Sequence, residues 1–324
     1  MRALRIVAAA VAAAALSQTA LAQDFPTRPI TIVVPFVAGG STEISARIVA
    51  QQLEARLGKP VIVANRPGAG TVIGSNYVAK AAPDGYTLLQ ATSTPMAINV
   101  TVHKALPYDP ATDLIPLAMV AQSPFILIVN PALPVNSVKE LIEYGRANPG
   151  KLTHGSGGPG SPHHLYAELL ASMTGIKMSH VPYKGSLPAL NDVVGGHIQL
   201  MFCDVPPSAG MIQSGKVCAL GVSPKKRLAA LPDIPTVDEA GVPGYEAVAW
   251  FMVAAPAKTP APIVQKLHTE LKAVLASPEV KAQIEKLSLV PMDTPTVAEM
   301  QSFVKSEIVR WGKVVEAAGI KGTQ

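Results

Sequence analysis

The sequence predicts an α/β protein: two doubly wound α/β domains joined by two crossover strands, with C-terminal helices packing on the first domain. Three observations carry this. Short β-branched runs alternate with helical stretches, the βαβ pattern of a parallel sheet covered on both faces. The alternation pauses near residue 123 and restarts at Ile126. The tail holds several helix starts but no third sheet for them to cover, so they must pack back on a domain already made.

Taken in order, residues 1–22 read as a secretory signal. Arg2 and Arg5 form a basic start, IVAAAVAAAAL a short apolar core, and Ala20-Leu21-Ala22 a small-residue cleavage site. The apolar core is too short to span a bilayer. No Cys follows the site to take a lipid. The mature chain is therefore expected to begin at Gln23 and to be periplasmic. Removing 22 of the 324 residues leaves 302, enough for two cores, and lowers the formal net charge from +5 to +3. With no run of Lys or Arg, charge gives nucleic-acid binding no support.

The first domain is expected over 23–123 plus 229–324 and the second over 124–228. In the first, Ile30 to Pro35, Val61 to Val63 and Tyr86 to Leu89 read as strands, with helices at Ser41 to Leu57 and Gly74 to Ala81. In the second, strands fall at Ile126 to Val129, Leu152 to His154, Ser179 to Pro182, Gln199 to Phe202 and Val217 to Val222. Ser137 and Glu140 form a capping box for the helix that follows them. Phe251 to Ala254 reads as the strand that returns to the first domain. Thr259-Pro260, Ser277-Pro278 and Thr296 with Glu299 open the tail helices. The last carries the apolar stripe Phe303, Val304, Ile308, Trp311, Val314, Val315 and Ala318. Cys203 and Cys218 fall at opposite ends of their strands and read as two buried free thiols.

The chemical motifs mostly fail. Gly155 to Gly160 matches G-x-G-x-x-G between a strand and a helix, but the next strand ends at His180-Val-Pro-Tyr183-Lys184 with no acid to hold a ribose. There is no G-x-S-x-G, no HExxH and no Cys pair at ligand spacing. Ser161, with Pro162 after it, reads as a helix cap rather than a nucleophile for His163. His163 and His164 point about 100° apart on a helix, so they do not readily share a metal. No cofactor and no metal are expected.

What survives is one device used three times. Glycine-rich turns follow strands at Ala38-Gly39-Gly40-Ser41-Thr42, at Gly155 to Ser161 and at Tyr183-Lys184-Gly185-Ser186. In parallel sheets such turns lie at the carboxyl ends of strands, where ligands bind. Each offers backbone N–H groups and the positive end of a helix dipole to an anion. For one loop, glycine that merely permits a tight turn explains the pattern equally well. Three such loops on one expected edge favour a seat for an anion.

The stretches "FPTRPITIVVPFVAGGSTEISAR", "NRPGAGTVIGSNYVAKAAPDGYTLL", "HGSGGPGSPHHLYAELL", "HVPYKGSLPALNDVVGGHIQLMF" and "WFMVAAPAKTPAPIVQKL" resemble, in order and over nearly the whole mature chain, the Bug family. These are extracytoplasmic solute receptors of tripartite tricarboxylate transporters. The resemblance implies a type II periplasmic binding protein that closes like a Venus flytrap on a small organic acid. It implies ligand-binding residues Phe36, Ala38, Gly39, Gly40 and Ser41, with Thr92 and Ser93, on the first domain. On the second it implies Ser156, Gly160, Ser161 and His163, flanked by Tyr183 and Lys184. It also implies a non-enzymatic role as a monomer that serves membrane permease subunits or a sensor. The competing expectation is an exported hydrolase or lyase using the same cleft.

Two departures from the family pattern stand out. Glu43 replaces the usual Asp, and it either caps the helix or narrows the pocket. Asp204 either faces the cleft, favouring a ligand with an amine or hydroxyl, or caps the turn before Pro206-Pro207.

Overall fold

The computed structural model describes residues 25–324. The expected signal and the start at Gln23 lie outside the described residues. The strands are β1 (Ile30–Val34), β2 (Val61–Asn65), β3 (Thr87–Thr92), β4 (Leu114–Ser123), β5 (Phe125–Val129), β6 (Leu152–Ser156), β7 (Met178–Pro182), β8 (Leu200–Asp204), β9 (Cys218–Val222), β10 (Ala249–Pro256) and β11 (Val290–Pro291). The helices are α1 (Ser41–Leu57), α2 (Val72–Ala79), α3 (Asn99–Val102), α4 (Val138–Ala147), α5 (Pro162–Thr174), α6 (Ser186–Gly195), α7 (Val205–Gln213), α8 (Ala261–Ala276), α9 (Pro278–Glu285) and α10 (Val297–Ala317).

These strands form two sheets, ordered β11-β4-β10-β3-β1-β2 and β7-β6-β8-β5-β9. We call each sheet with its helices a lobe. β1 runs parallel to β2 and β3, and β6 runs parallel to β7 and β8. Neither sheet is wholly parallel, however. β10 is antiparallel to β3 and β4, and β5 is antiparallel to β8 and β9.

The short edge strand β11 is also antiparallel, to β4; the exceptions β5 and β10 have one cause. Each is the first strand after the chain changes sheet. β4 ends at the carboxyl edge of the first sheet and, one residue later, becomes β5, which joins the second sheet from its own carboxyl edge. β9 returns to β10 in the same way. Two sheets whose carboxyl edges face each other force any strand that passes between them to run backwards. The crossings lie side by side: Ser123 pairs with Ala249, and Ser223 N donates to Phe125 O at 2.8 Å. A cleft between carboxyl edges is thus written into the topology. β4, absent from the expected strands, is the longest; Pro116 within it weakens its strand signal.

Local signals decide the helix ends. α1 ends at Gly58, which adopts φ 66° and returns its N–H to Glu54. α10 starts at a full capping box between Thr296 and Glu299. The tail does not pack on the first lobe alone. Trp311 of α10 is fully buried and stacks on Tyr166 of α5, with ring centroids 5.5 Å apart. Phe125 meets the same Tyr166 edge-on at 4.9 Å. Glu307, also buried, accepts the indole N–H groups of both Trp250 and Trp311 at 2.9 Å. One apolar cluster therefore runs from the first sheet through α10 into the second lobe. A second cluster sits between the first sheet and α1, α8 and α9, and a third lies behind the second sheet.

Residues 224–246 lie against the second sheet, where Val222 N donates to Pro235 O at 2.8 Å and Tyr245 stacks on Phe202. Both cysteines are free, Cys203 buried and Cys218 only partly so. They sit on β8 and β9 with β5 between them, opposite Ile126 and Val129, so two strand spacings and three residues of rise separate them, too far for a disulfide. β8 and β9 both run antiparallel to β5, so the two thiols lie at opposite ends of parallel strands, as expected, but Cys218 is less buried than expected.

Candidate functional site

On the first lobe, Val34 ends β1 and the chain turns through Pro35–Gly40 into α1. Ala38, Gly39 and Gly40 are exposed, while Phe36 and Ser41 are partly buried. Gly39 has φ 92°, which glycine alone adopts without strain. Gly40 occupies the cap position of α1 with no side chain to bond the first turn. Glu43 takes over part of that duty. Its carboxylate, only 4% exposed, folds back to accept the Gly39 N–H at 3.4 Å and pairs with Arg47. Asn65 at the end of β2 steadies the same turn by donating to Phe36 O at 3.0 Å. At the end of β3, the hydroxyls of Thr92 and Ser93 are buried without a protein partner among the described residues. Such atoms call for a bound polar group.

The second-lobe turn is wired from within. Ser156 Oγ lies 2.6 Å from His180 Nε2 and accepts the Gly158 N–H at 3.0 Å. Ser161 caps α5 by accepting from His164 N and donates to Gly158 O at 2.7 Å. Gly160 N donates to His164 Nδ1 at 3.2 Å. Beneath the turn, three imidazoles stack: His164 on His180 at 3.7 Å between centroids and His154 on His180 at 5.0 Å. Glu168 reaches His154 Nε2 at 3.2 Å and His164 Nε2 at 3.7 Å. Burial holds the His164 pKa down at about 4 and that of His180 at about 3, so both rings are neutral acceptors at ordinary pH. Burial alone would raise the Glu168 carboxyl, but the His154 hydrogen bond and the neighbouring imidazoles bring it below its usual value.

These bonds correct part of the expectation. The Gly39, Gly158, Gly160 and Ser161 amides are not unpaired; each already has a partner within its own turn. The hydroxyls of Ser156 and Ser161 are likewise committed. Tyr183 turns its hydroxyl to Asp192 at 2.6 Å, while Lys184 is exposed beside it. His163 and His164 do diverge, as their adjacency predicts, one to Asp204 and the other to Glu168.

Asp204 resolves as well. It stands at the cap position of α7 but makes no capping bond. Its Oδ2 lies 3.0 Å from His163 Nε2. Burial would raise its carboxyl, but the His163 hydrogen bond wins and holds it below the usual carboxylate range. Asp204 pairs in register with Phe125, the first residue beyond the Pro124 crossing, and His163 packs edge-on against Phe125 at 5.1 Å. The acid thus sits beside the hinge, at the floor of the cleft. Sequence reasoning found Asp204 and His163 but missed Asn65, His154 and Glu168. None of these lies in a glycine motif, and only tertiary packing brings them to the turns.

Two α/β lobes, two adjacent crossings and a cleft lined by strand-end turns define a type II periplasmic binding protein. The match to known proteins is specific. The family model for the tripartite tricarboxylate transporter family receptor covers residues 45–320, and the chain belongs to that family. It is 37% identical over 324 residues to Protein BugT of Bordetella pertussis strain Tohama I, covering 99% of this chain and 98% of that one. The solved structure of R. palustris Rpa4515 with adipate matches with TM-score 0.79 and 41% identity, covering 92% of this chain and 99% of the other. MatC from Rhodopseudomonas palustris with bound malate matches with TM-score 0.75 and 31% identity, covering 90% and 100%.

Proposed function

We propose that this receptor captures a small carboxylate-bearing solute between its lobes in the periplasm. It hands the solute on unchanged to permease subunits of a tripartite transporter or to a sensor. The observation that carries this reading is the 41%-identical structure with adipate, which aligns over nearly all of both chains. The malate-bound relative supports it, as do the Thr92 and Ser93 hydroxyls left for a polar guest. In this reading the guest meets Phe36, Ala38, Gly40, Ser41, Thr92 and Ser93 from one side. His163, Lys184 and Asp204 meet it from the other. Ligand that bridges the lobes favours the closed form, so binding and closure are one equilibrium. We place the lobes at 25–123 with 247–324, and at 124–246, because residues 224–246 pack on the second sheet.

An exported hydrolase or lyase fits the site less well. Ser161, two residues from His163, spends its hydroxyl on Gly158 O and the His164 N–H. A thermal-shift screen of organic acids on the mature protein tests the proposal, with mass spectrometry of the ligand afterwards. One or more acids should raise the melting temperature and be recovered intact. Turnover of the acid, or no stabilisation by any carboxylate, overturns it.

A further inference from the structure

The cleft floor carries a fixed negative charge, which is unexpected in a site for acids. The Asp204 side chain retains 35% of its exposure although it is crowded on several sides, so it lines a concavity rather than filling the core. Two elements hold it: β8 through its own backbone and α5 through His163. His163 is itself fixed against Phe125, and its side chain is only 12% exposed. A carboxylate held this way is ionised and acts only as an acceptor. With His163 donating to Oδ2, lone pairs of the carboxylate remain for a guest.

Resting on the carboxylate-receptor reading, we propose that Asp204, oriented by His163, sets ligand choice. It selects acids that carry a hydrogen-bond donor, a hydroxyl or an ammonium, at the end of the molecule facing the cleft floor. It rejects acids with a second carboxylate there. Two negative charges at contact range repel each other, and a protein surface screens this less than bulk water does. A site built to accept from a donor also discriminates strongly against analogues without one. His163 is a positioning residue: it fixes where the free lone pairs point.

The test is calorimetric titration of the mature protein with matched acids of three to six carbons. Each chain length is offered unsubstituted, with a hydroxyl, with an amine and with a second carboxylate. Wild type should bind the hydroxyl or amine member about tenfold or more tightly than the unsubstituted and dicarboxylic members. The hydroxyl and amine arms show which donor is meant. Asp204→Asn should erase that ranking and improve the dicarboxylic member about tenfold. If Asp204→Asn does not fold, His163→Gln supplies the same readout, with the preference reduced. A merely structural Asp204 would alter melting temperature but not ranking. Carboxylates that bind with the same ranking in wild type and variant sink this proposal and leave the receptor reading standing. Binding of no carboxylate at all sinks both.

Discussion

The first-lobe turn is exposed over residues 38–40, has no side-chain cap and is braced only by the folded-back acid Glu43 and by Asn65 at its start. Its counterpart, residues 155–161, is tied by Ser156, Ser161 and His164, and rests on a pile of three imidazoles. Both follow a strand, both precede a helix and both are rich in glycine. In one, glycine supplies freedom; in the other, side chains take that freedom away. If both turns meet the ligand, as proposed, it finds one lightly braced jaw and one heavily braced jaw. The ordering entropy of binding falls mainly on the first lobe.

Three experiments probe that contrast, in order of expected size. His164→Leu removes the acceptor of the buried Gly160 N–H and breaks the stack; it should cost about 2–3 kcal/mol of stability in urea unfolding. A loss below about 0.5 kcal/mol would mean the second turn is not held from beneath. Gly39→Val forces a β-branched residue to φ 92°, yet an added Cβ at that site has no atom within 4 Å. The exposed turn should reshape, so affinity for the screened ligand falls about 10–100-fold while the melting temperature barely moves. Unchanged affinity there would remove the first jaw from the site.

Acid provides the mildest probe. His164 and His180 titrate near 4 and near 3 when folded, below the 6.5 of the free side chain, so the unfolded chain takes up protons first. Their contribution is complete above about pH 6.5 and is lost as pH falls toward those folded values. Between pH 7 and 6 stability should drop by less than about 1 kcal/mol after solvent screening, read as a falling melting temperature. The slope should flatten in a His180→Phe variant; an equal slope would exclude His180 as the source.

Much of this was legible in the residues. The α1 limits, the Ser161 cap with Pro162 after it, the Thr296–Glu299 box and the apolar stripe through Trp311 are local signals, and each appears in the structure. Strand direction was not, because it depends on which edge a crossing chain meets, and nothing local to β5 or β10 records that. The wiring of the second turn was also hidden. His154 and His180 lie 26 residues apart on neighbouring strands, and only the parallel register that sets them side by side reveals their partnership.

The stacked pair Trp311 and Tyr166 has a final consequence. Because this pair lies in an apolar cluster that runs through the junction, neither half owns a complete interior. The halves pivot about a greasy seam instead of swinging on bare tethers. Melting one half would strip a wall from the other, so heating should unfold both in one transition, read as a single calorimetric peak.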